Sequence, residues 1–484
     1  MVKARLPIFS AILALALASA RAGDLDTLGF TSLRALHPEL TGAGQTVAQP
    51  EAGGTYQVNP SAVGQPAGLF RYYDSTHPYG GAGATFTSAS NHANSVGINL
   101  YGATTGGAPG VQRVENFDAD YFVNNIVIHL VTVGPSTTWQ PVAIASPIVN
   151  QSFVFTETNP SNIATINAFY DAYVNAFGTL FVNGLNNGAG SLTNAPASMY
   201  NGIAVGRTDG VHSGRAQLVA PAIATSFATP WVSAAAVVLR QAAELGDFLA
   251  LPGTDPTDSR VLKAGLLNGA TKTPGWSHTS TDPLDPTYGS GVVNVHGAFD
   301  TLAGGQKDQS STALIALGTI PTNSPFTAPI GGLAGWDLNS LTALTTSDAV
   351  AHYFFDLSNQ LSLSLTATLT WDSIVSALSD TGDRINNFDL VLVNATTHAI
   401  AWSSVSTAYN VEQIYLTNLP SAKYDLQVIL RGGTGTPSLS DNYAVAWSWT
   451  STGPVPESNF VWVIGAAGFL FIVRKRLAAR RARA

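Results

Sequence analysis

Ser226 stands in Ala224-Thr225-Ser226-Phe227-Ala228-Thr229-Pro230-Trp231, a run of small residues that leads into the apolar stretch Val232–Leu239. This pattern predicts a loop entering a buried helix, with a hydroxyl at the helix entrance. Unpaired backbone N–H groups and the positive end of the helix dipole converge at such a position, so an oxyanion forming on a substrate attacked by that hydroxyl would be stabilised. The chemistry implied is nucleophilic acyl transfer. Taken alone, Thr225 or Ser226 could simply cap the helix.

The surrounding elements must bring a base and further donors to this hydroxyl. A glycine-rich turn, Gly42-Ala43-Gly44, precedes Val47-Ala48 and predicts the first core strand of an α/β sheet. Phe122–Val133 is alternating and β-branched, Pro147–Phe153 reads as a second buried strand, and both fit a parallel sheet covered on two faces. Ile163–Phe177 has helical spacing and reads as core, Leu28–Leu40 as a helical lead-in, and Val261–Thr271 as a helix behind the serine segment.

The stretch Thr225-Ser226-x-Ala-x-Pro-x-Val resembles the serine signature of the subtilisin-like serine peptidases, with Ala224 where that family has glycine. Further segments resemble the same family in the same order. Asn91-His92-Ala93-Asn94-Ser95-Val96, followed by Gly107-Ala108-Pro109-Gly110-Val111, is similar to its histidine helix and makes His92 the general base. The small residues beside His92 would let a helix end approach the nucleophile closely.

Aligning Val47-Ala48 and Gly53 with the family's Val-Ala-Val-Ile-Asp-x-Gly places Glu51 at the aspartate, one methylene longer, where it would orient the histidine and stabilise the imidazolium. The strand end Leu180–Gly188 resembles the family's Ala-Ala-Gly-Asn-x-Gly, which makes Asn186 the oxyanion-hole donor. Asn187-Gly188 would suit a turn with positive φ in any case. Ser152, Phe153 and Val154 resemble the edge that pairs with substrate backbone, and Gly184 joins them as a substrate-binding position. Tyr288-Gly289-Ser290-Gly291 is similar to the closing segment of the catalytic domain.

The resemblance implies a subtilisin-like parallel sheet with helices on both faces, polypeptide substrates, no required cofactor and a monomer. The rival reading is a surface binding or adhesion protein that kept this fold without turnover. A lipase-type hydrolase is disfavoured because no Gly-x-Ser-x-Gly surrounds Ser226.

Composition bounds the setting. There is no cysteine, hence no disulfide or thiol chemistry, and only 11% of residues are charged. Residues 1–22 read as a signal peptide: Lys3 and Arg5, an apolar run, then Ala20-Arg21-Ala22. At the other end, residues 453–484 hold Pro456-Glu457-Ser458, the apolar run Phe460–Val473 and an arginine-rich tail. As a helix that run would reach about 21 Å, short of the roughly 30 Å hydrocarbon core.

This tail resembles the PEP-CTERM sorting signals of Gram-negative bacteria; a plain membrane anchor is the alternative. Both place the body outside the inner membrane, in the periplasm, on the outer surface or in the extracellular matrix, with membrane contact through the tail before processing. Nine of the 22 basic residues lie in these two ends, so the body is far more acidic than the whole chain's formal −8. Nucleic acid is therefore not an expected partner.

The peptidase domain spans 23–304, a Gly/Ser/Thr/Pro-rich linker 305–335, and an all-β sandwich, jelly-roll-like, 336–452, signalled by the unbroken alternation Leu361–Trp371 and by similar short strands up to Trp449. Such sandwiches follow the catalytic domain in many secreted bacterial peptidases, and carbohydrate or surface attachment is open to this one. Asp380, Asp383 and Asp389 read first as a solvated acidic turn and second as a structural calcium loop.

Overall fold

The computed structural model describes residues 22–190, 192–375 and 385–451. Seven strands, β1 (Thr46–Glu51), β2 (Phe70–Tyr73), β3 (Arg113–Asp118), β4 (Ile148–Gln151), β5 (Leu180–Gly184), β6 (Ile203–Arg207) and β7 (Leu218–Ala220), form one sheet in the order β7-β6-β5-β4-β1-β3-β2. Every neighbouring pair is parallel. A parallel sheet has to be covered on both faces, and alternate residues divide accordingly. Val47, Ile148, Leu180 and Val182 enter one core, while Ala48, Val149 and Phe181 enter another.

The first core is closed by α1 (Phe30–Leu36), α2 (Asn91–Tyr101), α4 (Thr225–Leu245), α5 (Ser259–Asn268) and α6 (Val295–Ala303), the second by α3 (Pro160–Phe177). The chain lays β2 and β3 on one side of β1 and β4 to β7 on the other, so the direction of winding reverses beside β1. Sites in open α/β sheets form at the carboxyl ends of strands at such a reversal.

Phe122–Val133 is not a strand of this sheet. Ala119–Phe122 and Val123–Val127 are helical, and only Leu130–Val133 is extended, in an antiparallel hairpin with Ser136–Trp139. Asp118 caps the turn by accepting from the Tyr121 N–H at 3.0 Å, and buried residues at 119, 122, 123, 126 and 127 follow the helical period. Capping and periodicity override the β-branched appearance. The place next to β1 is taken by β3 instead.

The second unit is antiparallel throughout. β8 (Ser311–Ala316), β9 (Ala334–Thr342), β10 (Ser347–Asp356), β11 (Leu363–Trp371), β12 (Phe388–Asn394), β13 (Ala399–Ser404), β14 (Val411–Leu419), β15 (Lys423–Leu430) and β16 (Ser440–Ser451) form a five-stranded sheet, β8-β10-β15-β12-β13, and a four-stranded one, β9-β16-β11-β14. A core that includes Tyr353, Phe355, Leu365, Trp371, Leu426 and Trp447 lies between them. The stretch read as a linker contributes β8, which pairs with β10 along six residues.

The outer face of the four-stranded sheet packs on the first unit. Along β16, Tyr443, Val445, Trp447 and Trp449 point into the sandwich, whereas Ala444 and Ala446 join Val261, Leu262 and Leu266 of α5 in the first core. Small residues on the helix side let α5 come close. Among the described residues no helix is long and apolar enough to cross a membrane, and Phe460–Val473 lies outside them.

Candidate active site

Glu51 ends β1 at the carboxyl edge of the sheet and is 1% exposed. Facing it, α2 begins at Asn91; its cap Ser90 accepts from the Ala93 N–H at 3.2 Å, which sets His92 in the first turn. The His92 Nδ1–H donates to Glu51 Oε2 at 2.7 Å, while the ring keeps 31% of its surface open to water. Burial alone would lower the His92 pKa; the charge of Glu51 and its hydrogen bond outweigh that, so the pKa is raised above the ordinary histidine value. Among the described residues no hydrogen-bond partner faces Nε2.

Ser226 lies in the first turn of α4. Ala224 stands at the cap position and has no side chain to offer, so the Thr225 N–H is instead accepted by Asn187 Oδ1 at 2.9 Å. Among the described residues no acceptor faces the Ser226 N–H, which leaves it available to an oxyanion. Pro230, four residues on, lacks an N–H and cannot serve the Ser226 carbonyl. Ser152 Oγ fills that role at 2.9 Å, itself accepting from Asn150 Nδ2 at 3.0 Å, and Ser233 Oγ donates to Asn150 Oδ1 at 2.9 Å. A proline in the second turn is thus tolerated because Ser152, the residue after β4, supplies a replacement donor.

The start of α4 lies along α2, touching His92 in its first turn and Asn99 near its end. Asn99 Nδ2 on α2 donates to the Phe227 carbonyl at 2.9 Å, and the rings of His92 and Phe227 lie 5.6 Å apart, centroid to centroid. Among the described residues no hydrogen bond joins Ser226 Oγ to His92 Nε2.

Asn186 and Asn187 form a short strand paired with His212–Ser213, and Gly188 follows at φ 90°. Asn187 Oδ1 accepts from the Thr225 N–H and hydroxyl at the start of α4, while Asn186, expected as the oxyanion-hole donor and exposed like its neighbour, is bonded to α4 through no side-chain atom. Adjacent residues of an extended segment point to opposite sides, so the two asparagine side chains meet different surroundings.

Gly184 is buried with its Cα against α4: a Cβ there would meet Thr229 Oγ1 at 2.7 Å, so this glycine serves close packing. Phe153 is buried in the second core and Val154 is half-buried. Asp389 is paired with Arg431 at 2.5 Å, which leaves it ill-suited as a calcium ligand, and Asp380 and Asp383 lie outside the described residues. Among the described residues no group of three histidines or carboxylates could hold a metal ion.

No family model matches the sequence, and no curated protein matches it. Among solved structures, a point mutant of the protease domain of PatA is 17% identical, over 55% of this chain and 98% of that one, with a TM-score of 0.37. A protease from Pseudoalteromonas arctica PAMC 21717 is 14% identical over 57% and 95%, TM-score 0.38, and the PatG macrocyclase in complex with peptide is 15% identical over 58% and 98%, TM-score 0.35. These figures are low, and the chemistry assigned to this chain rests on its own residues.

Proposed function

We propose that the chain is an exported subtilisin-like serine endopeptidase that cleaves polypeptides through an acyl-enzyme, with glutamate in the usual place of aspartate. The observation that carries this reading is the 2.7 Å contact between a buried Glu51 and His92 Nδ1, with the His92 ring 5.6 Å, centroid to centroid, from that of Phe227, the residue after Ser226. His92 Nε2 accepts the Ser226 hydroxyl proton as Oγ attacks the substrate carbonyl, and returns it to the leaving amine. Water then repeats the sequence on the acyl-enzyme. Glu51 holds the tautomer and faces the positive charge while it exists.

The oxyanion is received by the Ser226 N–H and the side-chain amide of Asn187, whose oxygen is already engaged by Thr225, so that the NH2 end remains to donate. Asn187→Ala is expected to lower kcat by about 10²–10³-fold with little change in KM, whereas Asn186→Ala keeps at least roughly half of the activity. Equal losses in both variants would refute the assignment to Asn187.

Residues 1–22 direct export, and the tail from 453 engages the membrane until it is processed. The body acts as a monomer outside the inner membrane. The absent Ser226–His92 hydrogen bond favours a second reading, a binding protein without turnover. A fluorophosphonate probe applied to the secreted protein separates the two: Ser226 is expected to be labelled and Ser226→Ala to abolish labelling, while an unlabelled wild type supports the binding protein.

A further inference from the structure

We propose that Gln49 is a positioning residue that, with Tyr101, adapts this site to a glutamate by fixing one carboxylate oxygen so that the other meets His92. The proposal rests on the peptidase reading of the same site. Gln49 and Glu51 are two residues apart on β1 and therefore project to the same face, toward α2. Gln49 is fully buried, at the position where the strand pattern quoted above has valine. A buried amide in place of an apolar side chain is costly unless each of its polar atoms is satisfied.

Here they are. Gln49 Nε2 donates to Glu51 Oε1 at 2.8 Å and to the Ala93 carbonyl at 3.0 Å, and its Oε1 accepts from the Tyr101 hydroxyl. The Glu51 carboxylate and the Ala93 carbonyl only accept, so the amide nitrogen must face them and the amide oxygen is left to accept from the Tyr101 hydroxyl. One side chain thus ties the carboxylate to the helix that carries the imidazole. Burial holds the Tyr101 pKa well above its ordinary value, so its proton is retained and it remains a donor.

Glycine at 97 makes the arrangement feasible. The Tyr101 ring leans back over the preceding turn, as long helical side chains do, and a Cβ on Gly97 would come within 2.9 Å of the tyrosine hydroxyl. A glutamate has one more rotatable bond than an aspartate, and the Gln49 bond removes that freedom.

The test uses the full secreted chain carrying Gln49→Val or Tyr101→Phe, with two readouts: the rate of fluorophosphonate labelling of Ser226 as a function of pH, and the low-field proton resonance of His92 Nδ1–H. Gln49→Val is expected to slow labelling about tenfold, the typical scale for loss of a residue that orients a functional ligand. It should also move the acid midpoint of the pH profile and shift or broaden the resonance. Tyr101→Phe, which loses only a hydroxyl, should change all three in the same direction by less, and it carries the test if Gln49→Val fails to fold.

Wild-type rate, midpoint and resonance in a folded variant would overturn the proposal. If wild type itself is unlabelled, the peptidase reading fails instead, and the resonance alone decides: a line that moves in both variants upholds the positioning role, and an unmoved line removes it.

Discussion

Glu51→Gln is expected to reduce kcat/KM by about 10³–10⁴-fold while the protein stays folded. The substitution is isosteric, but the site presents two donors to this side chain, Gln49 Nε2 on one side and His92 Nδ1–H on the other. A carboxylate accepts both; an amide has one oxygen and must set an N–H against one of them. If that N–H faces His92, Nδ1 becomes an acceptor and the ring proton moves to Nε2, which then cannot take the serine proton. The glutamate is 1% exposed, so water has little room to repair the mismatch.

The pH profile supplies a separate check. In the proposed mechanism turnover requires neutral His92, so kcat/KM is expected to rise with pH through the pKa of His92, and in wild type this limb should lie above the ordinary histidine value because Glu51 raises it. In Glu51→Gln the limb should move to lower pH. By linkage, the raised pKa stabilises the folded chain at pH values below the ordinary histidine pKa, and this increment is lost as pH rises through the raised one. A limb that stays in place after the substitution would show that Glu51 does not govern the histidine.

The parts of this site visible in the sequence were those written as local patterns. Small residues before an apolar helix announced Ser226 at the start of α4, and Val47-Ala48 after a glycine turn announced β1. Contacts between distant elements left weaker traces. Nothing in the strand pattern marked Gln49, whose partner Tyr101 lies 52 residues away. Which of Asn186 and Asn187 bonds to the start of α4 could not be read without knowing which side of the turn faces that helix.

Composition misled where it outweighed periodicity. The Gly/Ser/Pro-rich stretch holding β8 looked like linker because an edge strand with one open face needs few large apolar residues. The β-branched segment at 122–127 looked extended although its buried positions follow the helical period. The described strands from Leu363 onward were legible because their inward and outward residues alternate without interruption.

A chain ended at Gly304 is expected to fail to give a soluble, fluorophosphonate-reactive protein, and the intact chain is expected to unfold in one cooperative transition. Separate modules on a linker would predict the opposite. The difference follows from the junction: Trp336, Val411, Ala444 and Ala446 belong to the same core as Val261, Leu262 and Leu266, so truncation uncovers α5 along its length. Fully burying each such large aliphatic side chain contributes about 1.5–3 kcal/mol, and the loss of several approaches the roughly 5–15 kcal/mol by which domains are stable.

The junction is also stitched by polar groups of both units. Gln413 Nε2 donates to the Leu267 carbonyl at 3.3 Å and to Ser290 Oγ at 3.1 Å, and its Oε1 accepts from Lys272 Nζ at 3.1 Å. Asn410 Nδ2 reaches the Tyr200 carbonyl at 2.9 Å and Thr370 Oγ1 the Arg260 carbonyl at 3.0 Å. Gln413→Ala should therefore destabilise the whole molecule by about 1–3 kcal/mol, the cost of stranding buried partners, and lower a single unfolding midpoint rather than split it in two. Calorimetry that resolved two transitions, with only one responding to this substitution, would make the sandwich an independent module and return residues 305–335 to the role of a linker.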